Sequence, residues 1–294
     1  MSDSVTDDQI NHLMDLLKKA DCILIGASSG LSVDAGIDYM DQEAFARQFP
    51  AMVKRGFHMR AQLVGYADWS LALKWGYLLA HVNDVLFEHP PQPVYQQLFD
   101  FIADRDYFVI TTNVDRMFYK SGFDKHRIFT PQGDYSLLQC QIPCTNDVWP
   151  IAPSIDRALP NIDRETQQIT DPELIPKCPN CGGDVMMNVR GGDWFIDDPY
   201  ADQMERYTGW LNQNQERKLL IIEIGAGFNT PGVIRWPMER ITHRLKNAHL
   251  VRINPIHSDI PIEIKDRSLS IQSRGIEVIS SLWQINNNSK STGR

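Results

Sequence analysis

The sequence predicts an α/β protein: a doubly wound parallel sheet with a helical insertion and a small cysteine-bearing module. Three observations predict it. Short apolar runs recur at residues 21–26, 107–112, 218–225 and 248–254, as expected of strands buried on both faces of a parallel sheet. The last two runs are separated by a helical stretch that follows Pro231 and carries Val233, Ile234, Trp236 and Met238, and strands alternating with helices define doubly wound folds. Finally, four of the five cysteines fall in two close pairs within a proline-containing stretch of little periodicity.

In chain order, Thr6-x-x-Gln9 is a capping-box pattern, and Ile10, Leu13, Met14 and Leu17 follow at helical spacing. The run ending at Gly26 is the first strand. About eighty residues without a strand signal come next, rich in Trp69, Leu71, Leu73, Trp75, Leu78, Leu79, Val82, Leu86 and Phe87. They read as a helical insertion over about 40–104, whose apolar residues either build a substrate cleft or pack a core. Residues 135–195 read as an inserted module and the polar 287–294 as a flexible tail. The large domain therefore takes 1–134 and 196–286.

Composition narrows the function. The chain has 294 residues, 43% hydrophobic and 22% charged, as an ordinary globular protein does. Its longest apolar runs fall far short of the ~20 residues of a membrane helix, so no membrane partner is expected. The N-terminus lacks a basic and then apolar leader, which predicts a cytoplasmic chain. Net charge is −8 and no run of Lys or Arg exceeds two, so nucleic acid is not an expected partner.

Cys140-x3-Cys144 and Cys178-Pro-Asn-Cys181 supply four thiols. An odd cysteine count in a cytosolic-looking chain favours metal over disulfides. Four thiolates close a tetrahedral zinc ion with no open position, which makes the site structural; the alternative is a pair of free-thiol hairpins. Cys22, inside the first strand, reads as a small buried hydrophobe.

The turn from Gly26 to Ile37 contains Ser28, Ser29, Gly30 and Ser32. Such small residues let the backbone approach a phosphate, and a helix starting there offers free N–H groups. The turn lacks G-x-G-x-x-G spacing and a strand about twenty residues on to carry a ribose-binding acid, which argues against a dehydrogenase. No G-K-[ST] follows, which argues against a P-loop. Thr111-Thr112-Asn113-Val114-Asp115 stands at the carboxyl end of the second run, where open α/β sheets hold ligands. Turn capping is the alternative role for Asn113.

In order, these segments resemble a sirtuin. Ser28 to Ser32 with Ala35-Gly36-Ile37 matches the family's Gly-Ala-Gly-x-Ser...Ser-Gly-Ile, and 111–115 its Thr-Gln-Asn-Ile-Asp. Gln132-Gly133 falls on its His-Gly, the four cysteines on its zinc module, Gly225-Ala226-Gly227 on its Gly-Thr-Ser, and Ile253-Asn254 on its Ile-Asn. The resemblance implies a Rossmann-like NAD-binding domain with a small zinc domain, and cleavage of the nicotinamide bond of NAD as co-substrate. It implies that Asn113 orients the ribose and attacking group, that Asp115 and the Val114 backbone hold the nicotinamide carboxamide, and that Gln132 bonds the ribose. Ser28, Ser29, Gly30, Ser32, Thr112, Gly225, Ala226 and Asn254 would line the dinucleotide cleft. Arg190 and His257 are further candidates, for the acceptor or a phosphate.

Two departures redirect the chemistry. Deacylases use the family histidine as a base, and the amide of Gln132 has no proton to exchange near neutral pH. The acyl-lysine clamp Val-x-Phe-Gly survives only in part at residues 188–195. With the enlarged insertion and residues 223–231, these departures resemble the macrodomain-linked, class M sirtuins of bacteria. That group implies mono-ADP-ribosylation of a lipoyl-carrying, glycine-cleavage H-like protein, with a macrodomain ADP-ribosyl hydrolase as functional partner. The alternatives are an NAD-dependent lysine deacylase and a non-catalytic NAD or ADP-ribose sensor.

Overall fold

The apolar runs become the inner strands of a parallel sheet. The computed structural model describes residues 5–291. Its strands are β1 (Cys22–Ala27), β2 (Asp106–Thr111), β3 (Ile128–Phe129), β4 (Gly133–Cys140), β5 (Val148–Pro150), β6 (Val185–Val189), β7 (Leu219–Ile224), β8 (Ala248–Ile253) and β9 (Ser268–Ile271). Six of them form one sheet in the order β3-β2-β1-β7-β8-β9, parallel throughout. Every residue of β1 and β7 is buried, because helices cover both faces. A second sheet runs β5-β4-β6. Among the described residues no helix is long and apolar enough to cross a membrane.

The chain forms two compact units. The first takes residues up to Gly36, Pro91–Gly133 and the chain from Tyr200 on, and holds the six-stranded sheet. Its opening helix, Asp7–Lys19, has the expected capping box, with Gln9 N–H donating to Thr6 Oγ1 at 3.3 Å and Thr6 N–H to Gln9 Oε1 at 3.1 Å. Ile10, Leu13 and Leu17 form its buried face.

The second unit takes Ile37–Pro90 with Asp134–Pro199. The stretch expected as one insertion over 40–104 therefore divides. Its last helix, Pro93–Ile102, stays in the first unit, because its buried face of Val94, Tyr95, Leu98 and Ile102 needs a partner. The C-terminal helix Gly275–Ser291 supplies one, with Ser280 Oγ donating to Gln97 at 3.0 Å and Trp283 Nε1 to Asp100 at 2.9 Å. That helix also takes in 287–291 of the expected tail; residues 292–294 lie outside the described residues.

Within the second unit the insertion and the cysteine module share a seam. Gly76 lies inside the helix Leu71–Asn83, and a Cβ there would come 2.1 Å from the Gln167 carbonyl oxygen. Glycine is required by that approach. Gln167 Nε2 donates to the Gly76 carbonyl at 3.1 Å, and Ile169 N–H to the Ala72 carbonyl at 3.1 Å. Phe45, Phe49, Met52, Leu63, Leu73 and Tyr77 pack as one cluster. The insertion's rings do both things expected of them: Trp75 is fully buried core, while Trp69 lines a cavity.

Candidate active site

The strand register dictates where the loops emerge. Ala27 pairs level with Thr111 on one side and with Ile224 on the other, and Ile224 pairs with Ile253. The loops leaving β1, β2, β7 and β8 thus leave one edge of the sheet. Chain order reverses between β1 and β7, the switch point where open α/β sheets bind ligands.

Two glycines meet at that point. Gly30 N–H donates to the Gly225 carbonyl at 3.2 Å, and a Cβ on Gly30 would stand 2.6 Å from Gly225 Cα. Gly225 adopts φ +67, and a Cβ on it would come equally close to Gly30. Each loop therefore approaches the other as bare backbone.

Beside them lies a buried polar cluster. Asn113 Nδ2 donates to the Ser28 carbonyl at 3.1 Å and lies 3.4 Å from Tyr95 Oη, and its backbone N–H donates to Thr111 Oγ1 at 3.0 Å. Thr112 Oγ1 donates to Ser28 Oγ at 2.8 Å. Asp115 accepts from Ser32 Oγ at 2.5 Å and from Met117 N–H at 2.9 Å. Burial, then the nearby Asp115 charge, pushes the Tyr95 phenol well above its ordinary range, so Tyr95 is a neutral hydroxyl.

On the next loops, Asn254 Nδ2 donates to the Ala226 carbonyl at 3.0 Å, while its Oδ1 accepts from Ile256 and His257 N–H at 2.9 and 2.8 Å. The structure thus joins Ser28, Ser32, Thr112, Asn113 and Asp115 in one network, Gly30 with Gly225, and Ala226 with Asn254. Ser29 is exposed and Val114 half-buried. Gln132, half-buried just before the left-handed Gly133 at φ +93, stands outside the network's hydrogen bonds among the described residues. Arg190 is engaged by Asp197 at 3.2 Å and lies 4.3 Å from the Phe195 ring centroid. His257 packs edge-on against Phe228 at 5.1 Å.

Sequence reasoning missed Tyr95, which the apolar stripe of its helix hides, and an ionic bracket behind the Asn254 loop. Arg252, fully buried, grips Glu223 at 2.7 and 2.9 Å and Glu239 at 2.8 Å. Its NH1 donates to the Asp259 carbonyl at 2.6 Å, and buried Arg235 holds the His257 carbonyl at 2.7 Å. The available signal was Glu223 itself, a carboxylate inside an apolar strand.

In the second unit, the Sγ atoms of Cys140 and Cys181 lie 3.7 Å apart and those of Cys144 and Cys178 3.6 Å apart. All four lie within 4.8 Å of one another. Zinc–sulfur bonds of about 2.3 Å in a tetrahedron put sulfurs about 3.8 Å apart, whereas a disulfide needs about 2.05 Å. The donor set fits zinc. Asn180 Nδ2 donates to Cys144 Sγ at 3.2 Å and Gly183 N–H to Cys181 Sγ at 3.4 Å, as suits thiolate charge.

No family model matches the sequence. The chain is 37% identical over 267 residues to a probable bifunctional ADP-ribose hydrolase/ADP-ribosyltransferase of Fusarium oxysporum f. sp. cubense, covering 88% of this chain and 45% of that protein. It is 28% identical over 268 residues to a protein ADP-ribosyltransferase of Staphylococcus aureus, covering 90% and 83% respectively. It therefore spans about half the length of the first relative and most of the second. Among solved structures it is similar to a Sir2 homologue in complex with NAD, with a TM-score of 0.58 at 16% identity, covering 95% of this chain and 94% of that one. The fold is that of the sirtuins.

Proposed function

We propose that the chain is an NAD-dependent protein mono-ADP-ribosyltransferase of the macrodomain-linked sirtuin group. The observation that carries this reading is Gln132, an amide where a deacylase needs a base, in a chain whose sequence relatives are named ADP-ribosyltransferases. Its acceptor is a lipoyl-carrying, glycine-cleavage H-like protein in the cytoplasm, and a macrodomain ADP-ribosyl hydrolase is its functional counterpart. The relative that also carries an ADP-ribose hydrolase name supports that pairing.

NAD brings the nicotinamide–ribose bond, which breaks with its electron pair leaving on nicotinamide while an acceptor nucleophile bonds the ribose carbon and gives up its proton. Such a step passes through a cation-like state and asks for orientation and electrostatics more than for a strong base. Asn113 orients the ribose, its amide already fixed by the Ser28 carbonyl. Asp115, bonded to Ser32 and Met117, takes the carboxamide with the Val114 backbone. Gln132 hydrogen-bonds ribose hydroxyls. Ser28, Ser29, Gly30, Ser32, Thr112, Gly225, Ala226 and Asn254 line the dinucleotide cleft, and the zinc is structural.

The test is parallel incubation with NAD of an acetylated peptide and of lipoylated and unlipoylated carrier, read by mass spectrometry. An ADP-ribose mass on the lipoylated carrier with little deacetylation is expected. Rapid deacetylation with no mass added to either carrier would overturn the transferase, and absence of nicotinamide release would make the chain a sensor.

A further inference from the structure

The first unit carries a cavity at the end of its sheet opposite the candidate site. Leu219 and Ala248 open β7 and β8 and pair level with each other. The candidate loops leave those strands after Ile224 and Ile253, about 17 Å further along at about 3.3 Å per residue. Around the strand starts lies a cavity of about 430 Å³, bordered by the opening helix through His12, Leu16 and Lys19 and by the turn at Lys246.

Its charge is opposite to that of the chain. Over the whole sequence Asp and Glu outnumber Lys and Arg by 37 to 29, yet Lys19, Lys218, Lys246 and Arg267 border this cavity against Asp266 alone. Among the described residues none of these four cations forms an ion pair. Neighbouring acids are engaged elsewhere: Asp15 faces Lys18 at 3.9 Å, and Asp21 accepts the Lys218 backbone N–H at 3.0 Å.

One cation is also fixed in place. Arg267 Nη1 donates to the carbonyls of Leu245, Lys246 and Ala248 at 2.7, 3.3 and 3.4 Å, which pins the guanidinium without matching its charge. Half-buried His249 stands beside it, held below the ordinary histidine range by burial and then by that guanidinium, so it adds a neutral hydrogen-bonding ring rather than a fifth charge. Such a lining selects by charge number. One carboxylate leaves most of the cations unmatched, whereas adjoining phosphoryl groups bring about three negative charges or more. A nucleic-acid backbone needs a track of cations, and these surround one depression. We infer that the cavity binds a polyphosphate anion on Lys19, Lys218, Lys246 and Arg267, apart from the dinucleotide cleft.

The inference does not use the transferase reading and is tested without NAD. Zinc-loaded full-length protein is titrated by calorimetry with tripolyphosphate, orthophosphate and ATP at about 0.1 M salt, which screens diffuse attraction between exposed charges. Saturable one-to-one binding of tripolyphosphate is expected, with orthophosphate at least about tenfold weaker. Exposed ion pairs are individually weak, so Lys218→Met and Lys246→Met are combined; together they should weaken tripolyphosphate about tenfold at an unchanged melting temperature. Lys54→Met, on the second unit, should leave it unchanged. A nucleotide as the natural source predicts ATP tighter than tripolyphosphate, and an inorganic chain predicts ATP no tighter, with the double variant weakening both ligands in either case. No saturable binding, orthophosphate as tight as tripolyphosphate, unchanged binding by the double variant, or a DNA duplex bound as tightly as tripolyphosphate would each overturn the assignment.

Discussion

Two buried polar clusters of this protein are assembled by opposite means. In the first unit, Ser28, Ser32, Thr112, Asn113 and Asp115 come from two loops that directly follow β1 and β2, and their bonds are made by hydroxyls, amides and a single carboxylate. In the second unit, Gln48, Arg60, His81 and Asp84 come from dispersed positions, and a buried guanidinium serves three acceptors at once. The two loops of the candidate site, 83 to 85 residues apart in sequence, are held by hydroxyl and amide donors with no cation among these bonds. The insertion's own segments, 12 to 36 residues apart, are held by charge, where loss of one partner strands the other.

The sharpest way to break this comparison is to remove the second unit's metal site. Cys178→Ser, or a strong chelator, should lower the melting temperature by about 10 °C or more and abolish the expected single zinc per chain, since metal binding is folding energy in such modules. Elemental analysis and calorimetry check both. Next in size, Arg60→Met leaves Asp84 buried without its cation and should cost about 3–5 kcal/mol in urea denaturation.

A pH series sharpens the contrast further. Burial, then the Arg60 guanidinium, holds His81 neutral and pushes its pKa down to about 3 from an ordinary 6.5. The unfolded chain takes up a proton below that ordinary value and the native chain does not. Stability is therefore full above about pH 6.5 and falls by about 1 kcal/mol per pH unit below about pH 6. Denaturant midpoints at several pH values should show this slope, and His81→Gln should remove it. The smallest effect on stability belongs to the first cluster: Asn113→Ala gives up neutral hydrogen bonds worth about 1 kcal/mol. Nicotinamide release by the same variant should fall about a hundredfold.

The same contrast explains what could be read from sequence. β1, β2, β7 and β8 were legible because double burial makes each a mainly apolar run, and their loops were legible because the candidate residues there lie just past a strand end. The cysteines were legible through knuckle spacing. β3, with two residues, and β9, with one buried position in four, carry no such pattern. The union of the insertion with the cysteine module depends on Gly76 meeting Gln167, residues 91 positions apart whose types announce nothing. Pro93–Ile102 was assigned to the insertion because an amphipathic stripe records that a partner exists, not which one.

The interleaving of the two units sets an order of assembly on the ribosome. The second unit's last residue is Pro199, whereas the large sheet still lacks β7, β8 and β9, which begin at Leu219. A chain made from its N-terminus can close the four-cysteine site while β1 and β2 are exposed with one edge waiting. The nascent protein thus carries an aggregation-prone pair of apolar strands through that interval. Zinc supplied during translation should therefore raise the yield of folded protein.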